Sequence, residues 1–310
     1  MHKIWKMTWV QVKLSYRIKI AFFFMFIMPM AFFFIYAGLF ARGNPNAVAQ
    51  VMGPLVSLSV ISSGLMGLGM QIVMMRERDM LRRYHLAPIT ALDVIVSRLI
   101  ANYLLYLPVV VFQFALAIWM FHMPLQGSLF GLWLVFSLGF LSLGGLGLIV
   151  AGVINTMQEA QAVNNILFFA MLFLTGSTVP LSQLPHYLQK LSLFLPPTLM
   201  VIASQMMMLG NQGVAQHWPE IIGLVLSFIA SLGLAAPLFR WEKEEKVSRR
   251  NRLKALWALA PLLVVGIWLN LSSGFQRTNR PLFHPSAQTA AAAKAAANSA
   301  ARHLLPPHGR

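Results

Sequence analysis

The stretch that decides the fold of this chain reads Arg76-Glu77-Arg78-Asp79-Met80-Leu81-Arg82-Arg83-Tyr84-His85-Leu86-Ala87-Pro88. It lies between two long apolar runs, whereas most other charged residues lie near the two ends of the chain. A short polar helix between two membrane spans is a place where a membrane protein can contact a soluble partner. The pattern therefore predicts a span on each side of residues 76–88 and a polar surface between them.

The composition is that of an integral membrane protein. Hydrophobic residues make up 58% of the 310 positions and charged residues only 10%, and the mean hydropathy is +0.68. About 20 helical residues cross the roughly 30 Å hydrocarbon core of a bilayer. Six uncharged runs approach or exceed that length, so we predict an all-α polytopic fold with spans at 20–40, 51–75, 99–121, 129–154, 163–181 and 221–239.

Two further segments follow the six runs. Residues 255–271 form a shorter apolar run that contains Pro261 and Gly266, and we expect it to cross the membrane as a seventh span that places the tail outside. Residues 273–310 are rich in alanine and low in complexity, which predicts a tail without a packed core. The chain thus divides into a membrane domain at 1–254, a candidate extra span at 255–272, and the tail.

The net charge of +16 is distributed as a topology signal. Lysines and arginines are concentrated before the first run, between the second and third runs, and after the sixth, while the alternate loops hold few. By the positive-inside rule this pattern predicts a multi-pass protein of the cell membrane with a cytoplasmic N-terminus. The basic segments can also bind anionic lipid in the bilayer, and we expect no nucleic-acid partner.

Two segments outside the six runs have amphipathic patterns. In the first 19 residues, the basic and the aromatic side chains fall on different arcs of a helix, which predicts a helix in the headgroup region. A merely basic flank that orients the first span is the alternative. Residues 184–195 repeat leucines at helical spacing between prolines, which predicts a short outer helix that lies on the surface or dips back into the membrane.

The sequence lacks the motifs that catalysis or ion coupling would need. It contains no cysteine and no Gly-Lys pair, so we predict no metal site and no loop that cradles ATP phosphates. No hydrolase motif such as His-Glu-x-x-His is present, and we predict no catalytic residue. The eight acidic residues fall in loops or at span ends, which leaves the apolar runs without a carboxylate for ion coupling.

The order of these features resembles that of the permease subunits of type-2 ATP-binding-cassette (ABC-2) transporters. The family pattern in the charged loop has an Arg/Glu-rich start, a Gly-Thr pair, a leucine, and a proline that leads into the next span. Here Arg76-Glu77-Arg78 is the start, with Leu81 and Ala87-Pro88 further on, but Asp79-Met80 replaces Gly-Thr. A second match runs from Gln161-Ala162-Val163-Asn164-Asn165 through Gly176-Ser177-Thr178-Val179-Pro180, and the resemblance covers about residues 1–245.

This resemblance implies a permease subunit of an exporter that pairs with a second permease, as a homodimer or heterodimer, around the substrate pathway. A separate ATPase subunit would bind ATP and Mg, so this chain would be no enzyme and would hold no cofactor. Residues 76–88 would form a coupling helix seated on that ATPase. Its implied contact residues are Arg76, Glu77, Arg78, Leu81, Arg82, Arg83, Leu86 and Pro88.

The candidates for the pathway lining are polar residues of the second and fifth spans. They are Ser59, Ser62, Gln71, Asn164, Asn165, Thr175 and Thr178. As an alternative, serine and threonine in membrane helices bond to their own backbone or mediate helix contacts, and the charged loop could serve only to set the topology. The competing function classes are an ion-coupled secondary transporter and a membrane scaffold without transport.

Overall fold

A computed structural model of the chain describes residues 2–17, 19–40, 45–124, 127–209, 213–242 and 259–272. Within these ranges 86% of the residues are helical and no strand occurs, which confirms the predicted all-α fold. The basic segment beyond residue 242, the first residues of the run at 255–271 and the tail at 273–310 lie outside the described residues.

Short turns join most of the helices, whereas α3 and α4 form one continuous helix with a π-helical segment between them. A π-helical segment at Ile61–Gly67 connects α3 to α4, and 3₁₀ turns occupy Leu181–Gln183 and Val214–His217. In chain order the helices are α1 (His2–Arg17), α2 (Lys19–Phe40), α3 (Pro45–Val60), α4 (Leu68–Glu77), α5 (Met80–His85), α6 (Ala91–Phe121), α7 (Leu129–Val153), α8 (Met157–Leu174), α9 (His186–Ser192), α10 (Pro196–Leu209), α11 (Trp218–Leu238) and α12 (Leu259–Leu271).

Four helical segments of the described residues are long and apolar enough to cross a bilayer. They are Val48–Glu77, which joins α3, the π-helical segment and α4, and then Ala91–Phe121, Leu129–Val153 and Val214–Leu238. A fifth arises if α9 and α10, which meet at an angle of 98°, count as one broken span. The four correspond to the second, third, fourth and sixth predicted spans, and the predicted total of six is not confirmed.

The helix in the region of the fifth predicted span has other bounds than predicted and is not among the four candidate spans. We predicted it at 163–181, but α8 begins at Met157 and ends at Leu174. The Thr156 hydroxyl caps its start by accepting a hydrogen bond from the backbone N–H of Glu159 at 3.2 Å. Its end is set by Gly176, whose φ of 81° is the left-handed conformation that terminates helices. The helix therefore includes a polar first turn that hydropathy excluded.

The predicted outer helix is present, but it forms only the first arm of a sharp bend. After α9 the chain turns by 98° into α10, which is almost entirely buried and packs against α3, α7 and α11. The helix predicted at 184–195 is therefore present as α9, and its placement on the surface or within the membrane stays a prediction. Sequence analysis missed α10, because its 14 residues fall short of the roughly 20 by which a span is recognised.

Glycines on α7 bring the neighbouring helices into close contact. α7 packs against α4, α10, α11 and the π-helical segment. A Cβ atom at Gly147 would overlap the backbone carbonyl of Leu65, and a Cβ atom at Gly145 would overlap the Ser231 hydroxyl. Close backbone approach through small residues is the usual basis of helix packing in membranes.

We expect Gly147→Ala to destabilise the bundle, although alanine is the better helix former. The new Cβ would meet backbone atoms of Leu65, which cannot rotate away, and overpacking of this kind costs about 1–3 kcal/mol. The melting temperature of the detergent-purified protein should fall by several degrees. Gly233→Ala is the matched control, because nothing lies within 4 Å of a Cβ at that position. Equal melting temperatures for the two variants would contradict this account.

α1 packs against the first turns of α6 and leaves an aromatic face open. The Thr8 hydroxyl donates to the Ser97 carbonyl at 3.3 Å, and the Gln11 amide donates to the Ser97 hydroxyl at 3.2 Å. Trp5 and Trp9 are exposed, as expected of indoles at a membrane–water interface. The helix predicted for the N-terminal segment is present, and basic side chains are exposed on it together with the tryptophans.

α12 packs against α9 and α11. Near its end, the Asn270 amide donates to the Lys190 carbonyl at 3.1 Å, and the Trp268 ring lies 5.3 Å from the Trp218 ring at the start of α11, measured between centroids. α12 and α11 are therefore antiparallel. This packing is the one expected of a seventh span, and the crossing itself stays a prediction.

Candidate functional site

The charged stretch forms the last turn of α4, a reversal at Arg78 and Asp79, and then α5. Asp79 has φ 54° and ψ 19°, which is the left-handed region. Glycine enters this region without steric cost, and aspartate is one of the few other residues found there. A glycine at position 79, as in the pattern quoted above, would adopt this conformation without steric cost, and α5 begins directly after Asp79.

α5 has an inward and an outward face. Leu81 is fully buried in an apolar cluster that includes Ile72 of α4 and Leu238 of α11. Leu86, directly after the helix, is 88% exposed. The exposed residues among the predicted ATPase contacts, here termed the α5 surface, are Arg78, Arg82, Arg83, Leu86 and Pro88.

The segment that follows α11 holds α5 in place. The Arg82 Nε atom lies 3.6 Å from a carboxylate oxygen of Glu242. The His85 imidazole stacks on the Trp241 indole with 4.9 Å between the ring centroids, and Phe239 contacts the same indole edge-on at 5.0 Å. α5 is therefore attached to the ends of both α4 and α11.

Two buried arginines, here termed the arginine clamp, cap the C-terminal end of α7. The Arg76 guanidinium donates to the carbonyls of Ala151, at 3.0 Å, and of Ile154. The Arg240 guanidinium donates to the carbonyls of Gly152, at 3.1 Å, and of Ile154. The last four carbonyls of a helix have no intrahelical donor, and the helix end carries partial negative charge. The clamp satisfies these carbonyls with charge of the opposite sign.

Glu77 holds the start of α8 in a similar way. Its carboxylate accepts a hydrogen bond at 2.7 Å from the backbone N–H of Met157, the first residue of α8. In the turn between α7 and α8, the Asn155 side-chain oxygen accepts a hydrogen bond from Arg240 at 2.9 Å. One turn of α4 therefore binds the end of α7 and the start of α8, and a displacement of that turn would move both.

α8 is packed on one side only. Asn164 and Met171 are buried, and the helix packs against α4 and the π-helical segment. The opposite side is exposed and carries two amides beside large apolar side chains. This α8 face consists of Gln161, Asn165, Ile166, Phe169 and Phe173. An amide without a partner costs a few kcal/mol in hydrocarbon, so this face suits a polar pathway or another protein chain better than lipid.

Asn164 is the buried polar residue of α8. Its side chain has no exposed surface, and neither its amide nitrogen nor its oxygen has a hydrogen-bond partner in the described part of the chain. An unsatisfied buried group costs about 1–3 kcal/mol, and native proteins retain few of them. Asn164 therefore lies on the packed side of α8, away from the α8 face, and its part in a pathway stays a prediction.

The sequence pattern of the family described as ABC-2 type transporter matches residues 2–209 of this chain, from α1 to the end of α10. The chain belongs to the ABC-2 type transporter family. The match ends before α11, whereas we expected the resemblance to extend to about residue 245.

Named relatives of this ABC-2 transporter chain come from two bacteria. A Bacillus subtilis (strain 168) protein named as a transport permease, YvfS, is 25% identical over 177 residues, which are 55% of this chain and 71% of that protein. An Escherichia coli (strain K12) protein named as a multidrug ABC transporter permease, YbhS, is 22% identical over 194 residues, which are 62% of this chain and 52% of that protein. The chain thus spans about half the length of the second relative.

In this ABC-2 transporter chain, three of the eight predicted contact residues lie away from the α5 surface. Arg76 is 1% exposed and belongs to the arginine clamp, Glu77 binds α8, and Leu81 is buried. The reason is that residues 76–77 belong to the last turn of α4 and Leu81 faces inward. The structure shows intramolecular contacts for these three, and contact with an ATPase stays a prediction.

Sequence analysis missed the role of Arg240. The residue was counted only as part of a basic segment that sets topology. Its position directly after an apolar run is the same signal as that of Arg76, because each arginine can reach a neighbouring helix end at the membrane surface. Two arginines at the ends of two spans therefore predict a capping role as readily as a topological one.

The seven predicted pathway residues of the ABC-2 permease separate into three groups. The exposed ones are Ser62, Asn165 and Thr178. The Ser59 and Thr175 hydroxyls donate to the carbonyls four residues earlier, at 3.2 and 2.6 Å, which is the alternative interpretation given for such residues. Gln71 exchanges two hydrogen bonds with Asn102 of α6, each at 3.0 Å, and Asn164 is buried as described.

Glu220 is the fully buried acidic residue among those that the structure describes. It lies in the first turn of α11, where its carboxylate contacts the His217 Nδ1 atom at 3.1 Å. A carboxylate at a helix N-terminus interacts favourably with the helix dipole. We expected Glu220 at the end of a span, and it lies there. Its burial, however, does not follow from hydropathy.

Proposed function

We propose that this chain is the permease subunit of an ABC-2 exporter, that it encloses the substrate pathway with a second permease subunit along the α8 face, and that a separate ATPase drives it through the α5 surface. The observation that carries the proposal is the α8 face, which combines two amides with exposed apolar side chains on a helix packed on one side only. The family supplies the transporter class.

The depth of the α8 amides supports this arrangement. α8 begins beside Glu77, at the end of the bundle that carries α5. Asn165 is eight residues into the helix, which is about 12 Å along its axis. At that depth an amide needs a polar partner or water, so the pathway or the second subunit is its expected surroundings.

The drive from an ATPase fits the chemistry of the α5 surface. Three exposed arginines, Arg78, Arg82 and Arg83, lie beside the exposed Leu86, and an apolar anchor with surrounding arginines is a common composition for an interface. ATP and Mg would be bound by the partner, because this chain has no phosphate-binding loop. The positive-inside rule puts this end of the bundle in the cytoplasm of the cell, where ATP is available.

The path from α5 to the α8 face consists of direct contacts. α5 follows α4 through a two-residue reversal, and the last turn of α4 binds the start of α8 through Glu77. Movement of the docked α5 would therefore reach the helix that carries Asn164 and Asn165. This connection supports the assignment of α5 to energy input and of α8 to the pathway.

Cross-linking through single cysteines tests the proposal, since the chain has no native cysteine. Asn165→Cys and Phe169→Cys on the α8 face should each give a covalent dimer with a short bifunctional maleimide in native membranes. Val111→Cys, on the exposed side of α6, is the matched control and should stay monomeric. For a heterodimer, a cysteine is also placed at the corresponding position of the second permease, and the cross-linked product then has another mass. Monomers at both α8 positions, or equal cross-linking at position 111, would overturn the proposal.

A further inference from the structure

Arg98 is a half-buried arginine on α6 whose donors are poorly satisfied. Its Nη1 atom lies 3.4 Å from the Gln71 side-chain oxygen, and its Nη2 atom donates to the Met75 sulfur at 2.8 Å. Its Nε atom is buried and has no hydrogen-bond partner within the described ranges. A guanidinium has five N–H donors and is always charged, so one distant amide oxygen and one sulfur satisfy little of it.

The charge of Arg98 is also uncompensated. No carboxylate of the described residues lies within 4.0 Å of its guanidinium, whereas Arg82 pairs with Glu242. The arginine clamp, in contrast, has backbone carbonyls as acceptors. Burying a cation is costly unless an opposite charge and hydrogen bonds accompany it. Arg98 is therefore arranged to receive an anion.

The groups around Arg98 are held in place by their own hydrogen bonds. Gln71 and Asn102 exchange two hydrogen bonds of 3.0 Å, and the Asn102 amide also donates to the Arg98 carbonyl at 3.0 Å. The Gln71 oxygen is thereby fixed toward the guanidinium. Tyr84 of α5 packs against the apolar cluster that contains Met75, the residue whose sulfur accepts from Arg98. The site is thus built by three helices, α4, α5 and α6.

The position of the site indicates which anion reaches it. Ser97, the residue before Arg98, binds Thr8 and Gln11 of α1, so Arg98 lies on the turn of α6 against which α1, with its exposed tryptophans, packs. A helix of this kind lies among lipid headgroups. The phosphate oxygens of a headgroup match the fork of a guanidinium through two parallel hydrogen bonds.

We propose that Arg98, with Gln71 and Asn102 as its positioning residues, binds the phosphate group of an anionic phospholipid in the leaflet that contains α1. The lipid would occupy the groove between α4 and α6, next to Tyr84 of α5. Its occupancy would thus bear on the end of the bundle to which the ATPase is proposed to bind.

Native mass spectrometry of the detergent-purified chain tests this proposal with phosphatidylglycerol, phosphatidylcholine or inorganic phosphate as the added probe. Phosphatidylglycerol should bind at least about 10-fold more tightly to the unmodified chain than to Arg98→Gln. Lys190→Gln, which removes an exposed positive charge on α9, is the charge-matched control and should bind like the unmodified chain. Equal affinities for Arg98→Gln and Lys190→Gln would overturn the proposal.

The two other probes and a second variant cover the remaining outcomes. Phosphatidylcholine should bind the unmodified chain more weakly, and equal binding would overturn the requirement for an anionic headgroup. Inorganic phosphate that displaced phosphatidylglycerol at millimolar concentration would overturn the lipid assignment in favour of a soluble phosphate ligand. If Arg98→Gln does not fold, Arg98→Lys keeps the charge but loses the fork, and unchanged affinity in that variant would overturn the bidentate site.

Discussion

Replacement of Arg83 by glutamate is expected to release the ATPase from the permease while the permease still inserts into the membrane. Arg83 is exposed on α5 and makes no ion pair with any described residue, so the reversal breaks no ion pair of the chain itself. At a docked surface, an unpaired reversed charge costs about 2–5 kcal/mol, which is a loss of affinity of about 30-fold or more. Co-purification of the ATPase and ATP-driven transport in vesicles measure the effect.

Arg82 requires a different design, because it is paired with Glu242 within the chain. Arg82→Glu alone would introduce repulsion between α5 and the segment after α11. The exchange of Arg82→Glu with Glu242→Arg restores that pair and still reverses the charge at position 82. The exchanged protein should insert normally and lose the ATPase, as Arg83→Glu does.

Arg17→Glu serves as the control for both variants, since it makes the same change of charge on α1, at an exposed position away from α5. Its ATPase content should match that of the unmodified protein. If Arg83→Glu retains the ATPase and full transport, the charged loop acts only on topology and the proposed coupling surface is wrong.

Replacement of Arg76 by methionine is expected to cost more stability than any change on the α5 surface. Methionine fills a similar length but donates no hydrogen bond, so the Ala151 carbonyl loses its clamp donor and the Ile154 carbonyl keeps only Arg240. Each buried carbonyl left unsatisfied costs about 1–3 kcal/mol. The melting temperature in detergent and the yield of monodisperse protein should both fall.

The neighbouring Arg78 offers a matched control for the clamp. It is exposed, and it lies two residues after Arg76. Arg78→Met removes the same charge but leaves no buried carbonyl without its donor. Arg76→Lys should be intermediate, because lysine keeps the charge but cannot donate through a planar fork to two carbonyls. Identical melting temperatures for Arg76→Met and Arg78→Met would show that the clamp does not stabilise the end of α7.

Sequence analysis predicted well those elements whose position is determined by a single local feature of the sequence. α7 begins at Leu129, as predicted, because Ser128 caps an uninterrupted apolar run. The charged stretch at 76–88 lies between two long helices, since charges of both signs are excluded from the bilayer core, but α5 covers only Met80–His85 of it. Leu86 and Arg83 are exposed, and their use as a docking surface stays a prediction.

The elements that were missed depend on partners far away in the chain. Nothing near Arg76 in the sequence reveals that its acceptors are carbonyls 75 and 78 residues later, so an arginine that turns inward looks like one that turns outward. α10 is apolar but short, and its burial comes from α3, α7 and α11. Asn164 and Asn165 are adjacent amides, and only the packing of α8 separates the buried one from the exposed one.

The π-helical segment at Ile61–Gly67 determines which way the side chains of α4, including Arg76 and Glu77, point around the helix axis. Gly64 and Gly69 both approach the backbone of α7, yet five residues of a regular α-helix turn through about 500°, which would place them about 140° apart. Bonding from residue i to i+5 reduces the turn per residue and so brings the two glycines closer to one side of the helix. Straightening the segment into an α-helix would turn one glycine away from α7 and rotate the end of α4. The wider turn therefore keeps the two halves of this span in register with a single neighbour.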